Sequence, residues 1–298
     1  MLRHAAVAGT WYPGRPDVLA RELDHYLALA RPAAAVPADL LALLAPHAGL
    51  VYSGPVAAHG YVSLEGRHFD LVVLVGPSHY VAFDGAAVWP AGAFETPLGP
   101  LEVDGRTADA LLRASPVVRV LPAAHDREHS LEMQLPFLKR VLPDVPIVPV
   151  VMGEQTRETI DTLARALADT LAGRRVLLIA SSDLSHFFDA PTAERLDGRT
   201  AAFVERFDVE GLAAEFESYP DHERGRFVMC GGGPALAVMR AARLLGADEA
   251  RVLARNHSGD VSGDRRRVVG YLAAAFGRAR PAADAGARGE VGWGSSLS

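Results

Sequence analysis

Four short apolar runs, at residues 40–45, 70–75, 147–152 and 176–180, constrain this chain more than any other feature. Each is rich in Leu, Val or Ile, and each stops at a sharp polar or glycine turn. The turns are Pro46-His47-Ala48-Gly49, Gly76-Pro77-Ser78-His79, Gly153 and Ser181-Ser182-Asp183. Short apolar runs bounded by turn residues read as strands buried on both faces. Helical spacing fills much of the sequence between and around them, most clearly at 156–172 and 128–141, and at 17–30 behind Pro16. Strands alternating with helices predict an α/β protein: a single domain with a central mixed β-sheet flanked by helices.

The rest of the chain fits that plan. Residues 32–37 form a breaker, and 95–104, with Pro and Gly, read as a hairpin-like excursion. Helices are expected at 192–207 and 209–217, and another opens at Cys230-Gly231-Gly232-Gly233-Pro234 and runs to 245. Strands at 251–254 and 268–274 close the domain, which is expected to span residues 1–277. From 278 to 298 the composition turns to Ala, Gly, Arg and Ser, with little to bury, so a disordered tail is expected there.

Composition removes several classes of function. Of the 298 residues, 49% are hydrophobic and 22% charged, the mix of a soluble protein with an ample core. The net charge of −6 argues against a nucleic-acid backbone binder, which needs a basic face. No apolar run reaches the length of a membrane span, and the opening MLRHAAVAGTWYPG meets Trp, Tyr and Pro too early for a signal-peptide core. A single cysteine, Cys230, cannot form an internal disulfide. A cytoplasmic location, with no membrane and no nucleic acid as partner, is the expectation.

In open α/β sheets, sites gather beyond the carboxyl ends of the strands. His47, His79 and the pair Asp183–His186 each follow a predicted strand, so three imidazoles and a carboxylate are expected at one edge. Imidazole and carboxylate suit iron, zinc, copper or manganese, and thiolate shifts preference to softer metals. Cys230 stands just before a helix, where the N-terminal dipole favours thiolate. Each of these has a bland alternative: a hydrogen-bonded turn histidine, or an inert buried thiol.

Asp183 and His186 are three apart. On a helical turn they share a face, so that Asp183 orients His186 or His186 serves as acid and base. His129 and Glu132 have the same spacing on the helix expected at 128–141. The order HExxH is absent, which excludes a thermolysin-like zinc site. The three glycines after Cys230 lack the Lys-Ser/Thr of a phosphate loop, and close backbone approach explains them better. Arg265–Arg267 reads as a solvated basic face.

Together, several motifs resemble the Memo family (mediator of ErbB2-driven cell motility). They are Gly9-Thr10-Trp11-Tyr12-Pro13, Ala45-Pro46-His47-Ala48-Gly49, Gly76-Pro77-Ser78-His79, Glu128-His129-Ser130-Leu131-Glu132-Met133, Ser181-Ser182-Asp183-Leu184-Ser185-His186 and Cys230-Gly231. They occur in family order to about Phe276. Prokaryotic members are known as protein B of the AmmeMemoRadiSam system. That name implies AMMECR-type and radical SAM proteins as partners.

The resemblance implies a fold similar to class III extradiol dioxygenases. It places a metal on His47, His79 and Cys230, with Asp183 and His186 in the neighbouring pocket. Those dioxygenases use two His and a Glu, so a thiolate here departs from their pattern and argues against ring cleavage. The expected cofactor is a divalent or redox-active metal, Fe(II) or copper before zinc. The leading expectation is a metal-dependent redox reaction on a small molecule, with His186 as acid/base tuned by Asp183 and His129 lining the pocket. The alternatives are a non-catalytic module that holds a peptide or partner protein in the same cleft, and a metal-assisted hydrolase.

Overall fold

The computed structural model describes residues 1–30 and 35–280. Its strands are β1 (Leu2–Arg3), β2 (Asp39–Ala45), β3 (Leu71–Pro77), β4 (Ala86–Val88), β5 (Gly92–Phe94), β6 (Leu101–Val103), β7 (Val118–Val120), β8 (Ile147–Met152), β9 (Val176–Ser181), β10 (His186–Phe188), β11 (Glu249–His257) and β12 (Val268–Arg278). Its helices are α1 (Pro16–Leu29), α2 (Leu50–Val62), α3 (Gly105–Ala114), α4 (Ala123–Asp126), α5 (Leu135–Val141), α6 (Arg157–Leu171), α7 (Ala190–Glu205), α8 (Val209–Glu217), α9 (Asp221–Phe227), α10 (Gly232–Leu244) and α11 (Ser258–Ser262). Among the described residues no helix is long and apolar enough to cross a membrane.

The strands form one mixed sheet, ordered β1-β5-β6-β8-β3-β9-β2-β12-β10, with β11 added to β12 and β4 to β8. The four predicted apolar runs are its centre: β8, β3, β9 and β2 lie side by side and parallel. The fold class is therefore the one the sequence predicts. The 95–104 excursion is a hairpin-like antiparallel pairing of β5 with β6.

Alternation along the central strands divides the core in two. Val73, Val75, Leu178 and Ala180 face one side, packed with α6, α8 and α10. Val72, Leu74, Leu177 and Ile179 face the other, packed with α1, α2 and α5. α1 contributes Leu19, Leu23 and Leu27, a stripe at helical spacing. Because both faces are covered, the strands need no polar positions until they end.

Three expectations need correction. The helix expected at 128–141 is helical only from Leu135, after a 3₁₀ turn at Glu132–Gln134. Pro136 is the cause, since it cannot donate to the carbonyl of residue 132 and its ring would clash there. Asp183 and His186 do not lie on a helical turn, because the chain runs extended into β10. The strand expected at 251–254 is longer: β11 runs on through Asn256 and His257, and α11 follows. The expected tail at 278–298 lies outside the described residues apart from its first three, of which Arg278 still belongs to β12.

Candidate metal centre

β2, β3 and β9 deliver the site because they are parallel and nearly in register at their ends. Ala45 pairs with Ser181, and Val75 with Ala180. The turns that follow carry His47, His79 and Asp183 to one edge. Cys230 arrives from the other direction, just before α10. Two of its following glycines fit by necessity: a Cβ on Gly231 would lie 2.4 Å from the Ser181 carbonyl oxygen, and one on Gly232 would lie 2.1 Å from the Phe216 ring. The glycines therefore serve close packing.

His47, His79 and Cys230 each present a ligating atom, and these atoms lie within 4.8 Å of one another. The Cys230 Sγ is 3.2 Å from His47 Nε2. The hydrogen-bond network fixes which nitrogens face inward. Tyr61 donates to Gln134 Oε1 at 2.7 Å, which orients the amide so that Gln134 Nε2 donates to Ser181 Oγ at 2.7 Å. Ser181 donates its only hydroxyl proton to the Ser130 carbonyl at 2.6 Å. His47 Nδ1, 2.9 Å from Ser181 Oγ, must then be the donor, leaving the Nε2 lone pair free.

Glu128 does the same for His79. Its Oε1 accepts from His79 Nδ1 at 2.8 Å and its Oε2 from the His79 backbone N–H at 2.6 Å. A second group, His79, Glu128 and His129, also lies within 4.8 Å. Glu128 Oε1 there already accepts from His79 and from the Ser130 N–H, and the His79 and His129 rings are stacked at 4.4 Å. Glu128 is thus committed to holding His79, as carboxylates behind ligating histidines commonly are. His186 Nδ1 donates to the Leu184 carbonyl at 2.8 Å, and the Gly225 backbone makes a further hydrogen bond to the ring.

Electrostatics follow from these contacts. For His79, burial opposes charge, but hydrogen bonds to Cys230 and Glu128 outweigh it and raise its pKa to about 10. Burial likewise opposes charge on Glu128, yet the His79 bond and charge bring it down to about 2. Burial, then repulsion from His79, His129 and His186, drive His47 well below the usual imidazole range. Burial and the His79 charge lower His129 to about 4. Burial lowers His186 as well. Asp183 is pushed up to about 7 by burial, against the pull of two N–H groups.

Those two N–H groups reassign Asp183. Its Oδ1 accepts from the backbone of His47 at 2.7 Å and Ala48 at 3.2 Å. It therefore shapes the turn that carries His47 and does not orient His186. Glu132 likewise does not pair with His129. It gathers Arg3, the Tyr12 hydroxyl and the backbone N–H groups of Ala6 and Val7. That knot ties down the N-terminal segment, whose Trp11 ring packs 4.3 Å from His129.

Two cavities meet at the histidines. An apolar one of about 470 Å³ is lined by Trp11, His47, Tyr52, His129, His186 and Phe187. A polar one of about 450 Å³ is lined by Tyr80, Gln155, Arg224 and Cys230, and His79 borders both. Sequence reasoning placed Glu128 and Ser181 within motifs without giving them a role, and it did not single out Gln134, Tyr80 or Phe187. A carboxylate adjoining a candidate histidine was the one available signal, and it pointed at Glu128.

The sequence model of one family, described as Memo-like protein, matches residues 3–275. A MEMO1 family protein of Methanobrevibacter smithii is 36% identical over 288 residues, 93% of this chain and 100% of that protein. One from Thermotoga maritima is 37% identical over 286 residues, 92% and 99% of the two chains. Among solved structures, an uncharacterized protein, JW3007, from Escherichia coli K12 aligns with a TM-score of 0.56. It covers 78% of this chain and 99% of its own at 15% identity, a likeness of fold alone.

Proposed function

This chain belongs to the Memo family, and on that premise we propose that His47, His79 and Cys230 hold a redox-active metal that acts on a small organic molecule in the apolar cavity. The observation that carries this reading is the placement of Cys230 Sγ against His47 Nε2 at 3.2 Å, with the ligating atom of His79 in the same 4.8 Å cluster. Both histidines have Nδ1 committed to an acceptor behind them. Once a metal displaces the His79 proton, two imidazole nitrogens and a thiolate would suit Fe(II) or copper, with zinc as the redox-inert alternative. Such a metal would exchange electrons with the bound molecule.

The protein's own groups supply the rest. His186 is neutral at pH 7 because burial disfavours its charge. Its ring forms part of the cavity wall, held by hydrogen bonds to the Leu184 and Gly225 backbone, and would face a bound molecule there. Asp183, near 7, can hold a proton at the same edge. Trp11 and the half-buried rim exclude water from one side. The resemblance to class III extradiol dioxygenases supports the pocket's role, while Cys230 in place of their Glu favours chemistry other than ring cleavage.

One measurement tests the reading with few confounders, since Cys230 is the only thiol. Iodoacetamide alkylation, followed by intact mass in anaerobic buffer, should be fast near neutral pH in metal-free protein. Fe(II), Cu(I) or Zn(II) should protect the sulfur. A slow rate that none of the three metals changes would overturn the proposal, because a thiol outside the ligand set has no reason to respond.

A further inference from the structure

The strand pairing around Phe187 leaves its backbone unexplained. Its φ is +66°, in the left-handed region that residues with a β-carbon rarely adopt. Such conformations persist where the surroundings enforce them, and they cluster at functional sites. Burial is not the return, because the ring is 52% exposed. What the twist achieves is placement. It breaks the pairing of β10 with β12, whose register shifts between His186 and Phe188. It sets the ring at the wall of the apolar cavity, 5.5 Å from the His186 ring. Trp11 lines the same cavity.

Charge at the same mouth gives a second, independent observation. The Arg267 guanidinium lies 5.3 Å over the Phe187 ring. Arg127 lies 5.2 Å over the ring of Tyr80, which lines the polar cavity instead. Among the described residues Arg267 has no hydrogen-bond or ion-pair partner, whereas the adjacent Arg265 and Arg266 both bind carboxylates. A guanidinium stacked on a ring keeps its in-plane N–H groups for an oxyanion. In a chain of net charge −6, an unpaired cation over a ring of the cavity wall is a place for an anion. Asp183, the one carboxylate lining the cavity, is engaged by two backbone N–H groups.

We propose that the apolar cavity takes a small aromatic carboxylate, its ring packed between Phe187 and Trp11 and its carboxylate facing the Arg267 guanidinium. This names the substrate class for the site proposed above and rests on that reading. A cavity of about 470 Å³ is in the range that accepts one such molecule.

The test uses 2-naphthoate and its neutral counterpart 2-naphthamide, titrated calorimetrically into metal-free and zinc-loaded full-length protein. Naphthoate should bind about tenfold more tightly in both forms, and the preference should shrink as salt rises. Arg267→Ala should weaken naphthoate about three- to tenfold and leave the amide unchanged, the range of a partly screened ion pair. Phe187→Gly should weaken both probes about tenfold while keeping or raising the melting temperature, because glycine adopts positive φ without strain. A purely structural phenylalanine predicts the reverse, a lower melting temperature with probe affinity intact.

Equal affinity for the two probes overturns the proposal, as does parent-like binding by Phe187→Gly. A naphthoate preference seen only in the zinc-loaded form overturns the guanidinium assignment, because it puts the anion on the metal. Zinc affinity from the same series keeps the two readings apart. Protein that binds naphthoate but no metal refutes the metal centre alone, and protein that binds metal but not naphthoate refutes the substrate class alone.

Discussion

Glu128 and Asp183 are both buried carboxylates at the same histidines, yet their surroundings drive them in opposite directions. Glu128 meets an imidazole N–H and the charge behind it, and falls to about 2. Asp183 accepts hydrogen bonds from backbone N–H groups, those of His47 and Ala48, and burial lifts it to about 7 against these and the His79 charge. Two carboxylates at one strand edge thus divide the labour: Glu128 stays ionised and aims a ligand, while Asp183 shapes a turn and can keep a proton near neutrality. The difference teaches that adjacency to a histidine does not decide a carboxylate's role. What decides it is whether the partner is a side chain that carries charge or a backbone amide that does not.

The largest effect should come from removing the turn-shaping carboxylate. Asp183→Ala leaves two buried N–H groups without acceptors, at about 1–3 kcal/mol each, so a loss of about 4 kcal/mol is expected in urea unfolding. Asp183→Asn keeps an acceptor oxygen and should cost about 1 kcal/mol. If both variants lose equally, the charge of Asp183 matters and the backbone account is wrong.

Next in size is Glu128→Gln. It should preserve the fold and reduce metal affinity about 10–100-fold, roughly 1.4–2.7 kcal/mol, because the acceptor that orients and polarises His79 is weakened. Asp183→Asn should change that affinity much less. A reversal of the two would dismantle the comparison.

The smallest effect is in the pH dependence of stability, and there the two carboxylates have opposite signs. Glu128 has a folded pKa of about 2, below its reference of 4.5, so the unfolded chain binds more protons between those values. Its contribution is present above that window and is lost as pH falls through it. Asp183 has a folded pKa of about 7, above its reference of 3.8, so the folded chain binds more protons there. Its contribution is present at low pH and is lost as pH rises through 7. Each slope is at most about 1.4 kcal/mol per pH unit. Denaturation of Asp183→Asn from pH 4 to 7 should therefore show stability rising more with pH, or falling less, than the parent.

Much of the architecture was legible because the central strands are buried on both faces. A run such as Leu71–Pro77 has no polar position to blur its ends, and the turn after it announces the site. Some elements were not legible, for physical reasons. α2 contains Gly54, Pro55 and Gly60 and is buried nearly all round, so it shows neither amphipathic spacing nor helix-forming composition. β4, β7 and β10 are three residues each, too short to register as a period.

At the site, His47 and His79 were marked by position alone, whereas Cys230 needed a family resemblance, since its strand-end neighbours are far away in sequence. The hydrogen-bond relay from Tyr61 through Gln134 and Ser181 to His47 joins residues up to 134 apart. No local pattern encodes such a relay. The aim of Asp183 was misread because three-residue spacing was taken to be helical where β10 is extended.

The central claim is that His47, His79 and Cys230 form one ligand set, and anaerobic calorimetric titration of Zn(II) or Fe(II) into Cys230→Ala tests it most directly. The account predicts that affinity falls by more than about 100-fold relative to the parent, beyond the 10–100-fold typical of residues behind the ligands. It also predicts that proton release on binding drops, since without the sulfur His79 loses one of the partners that keep it protonated for the metal to displace. Affinity and proton release equal to those of the parent would contradict it.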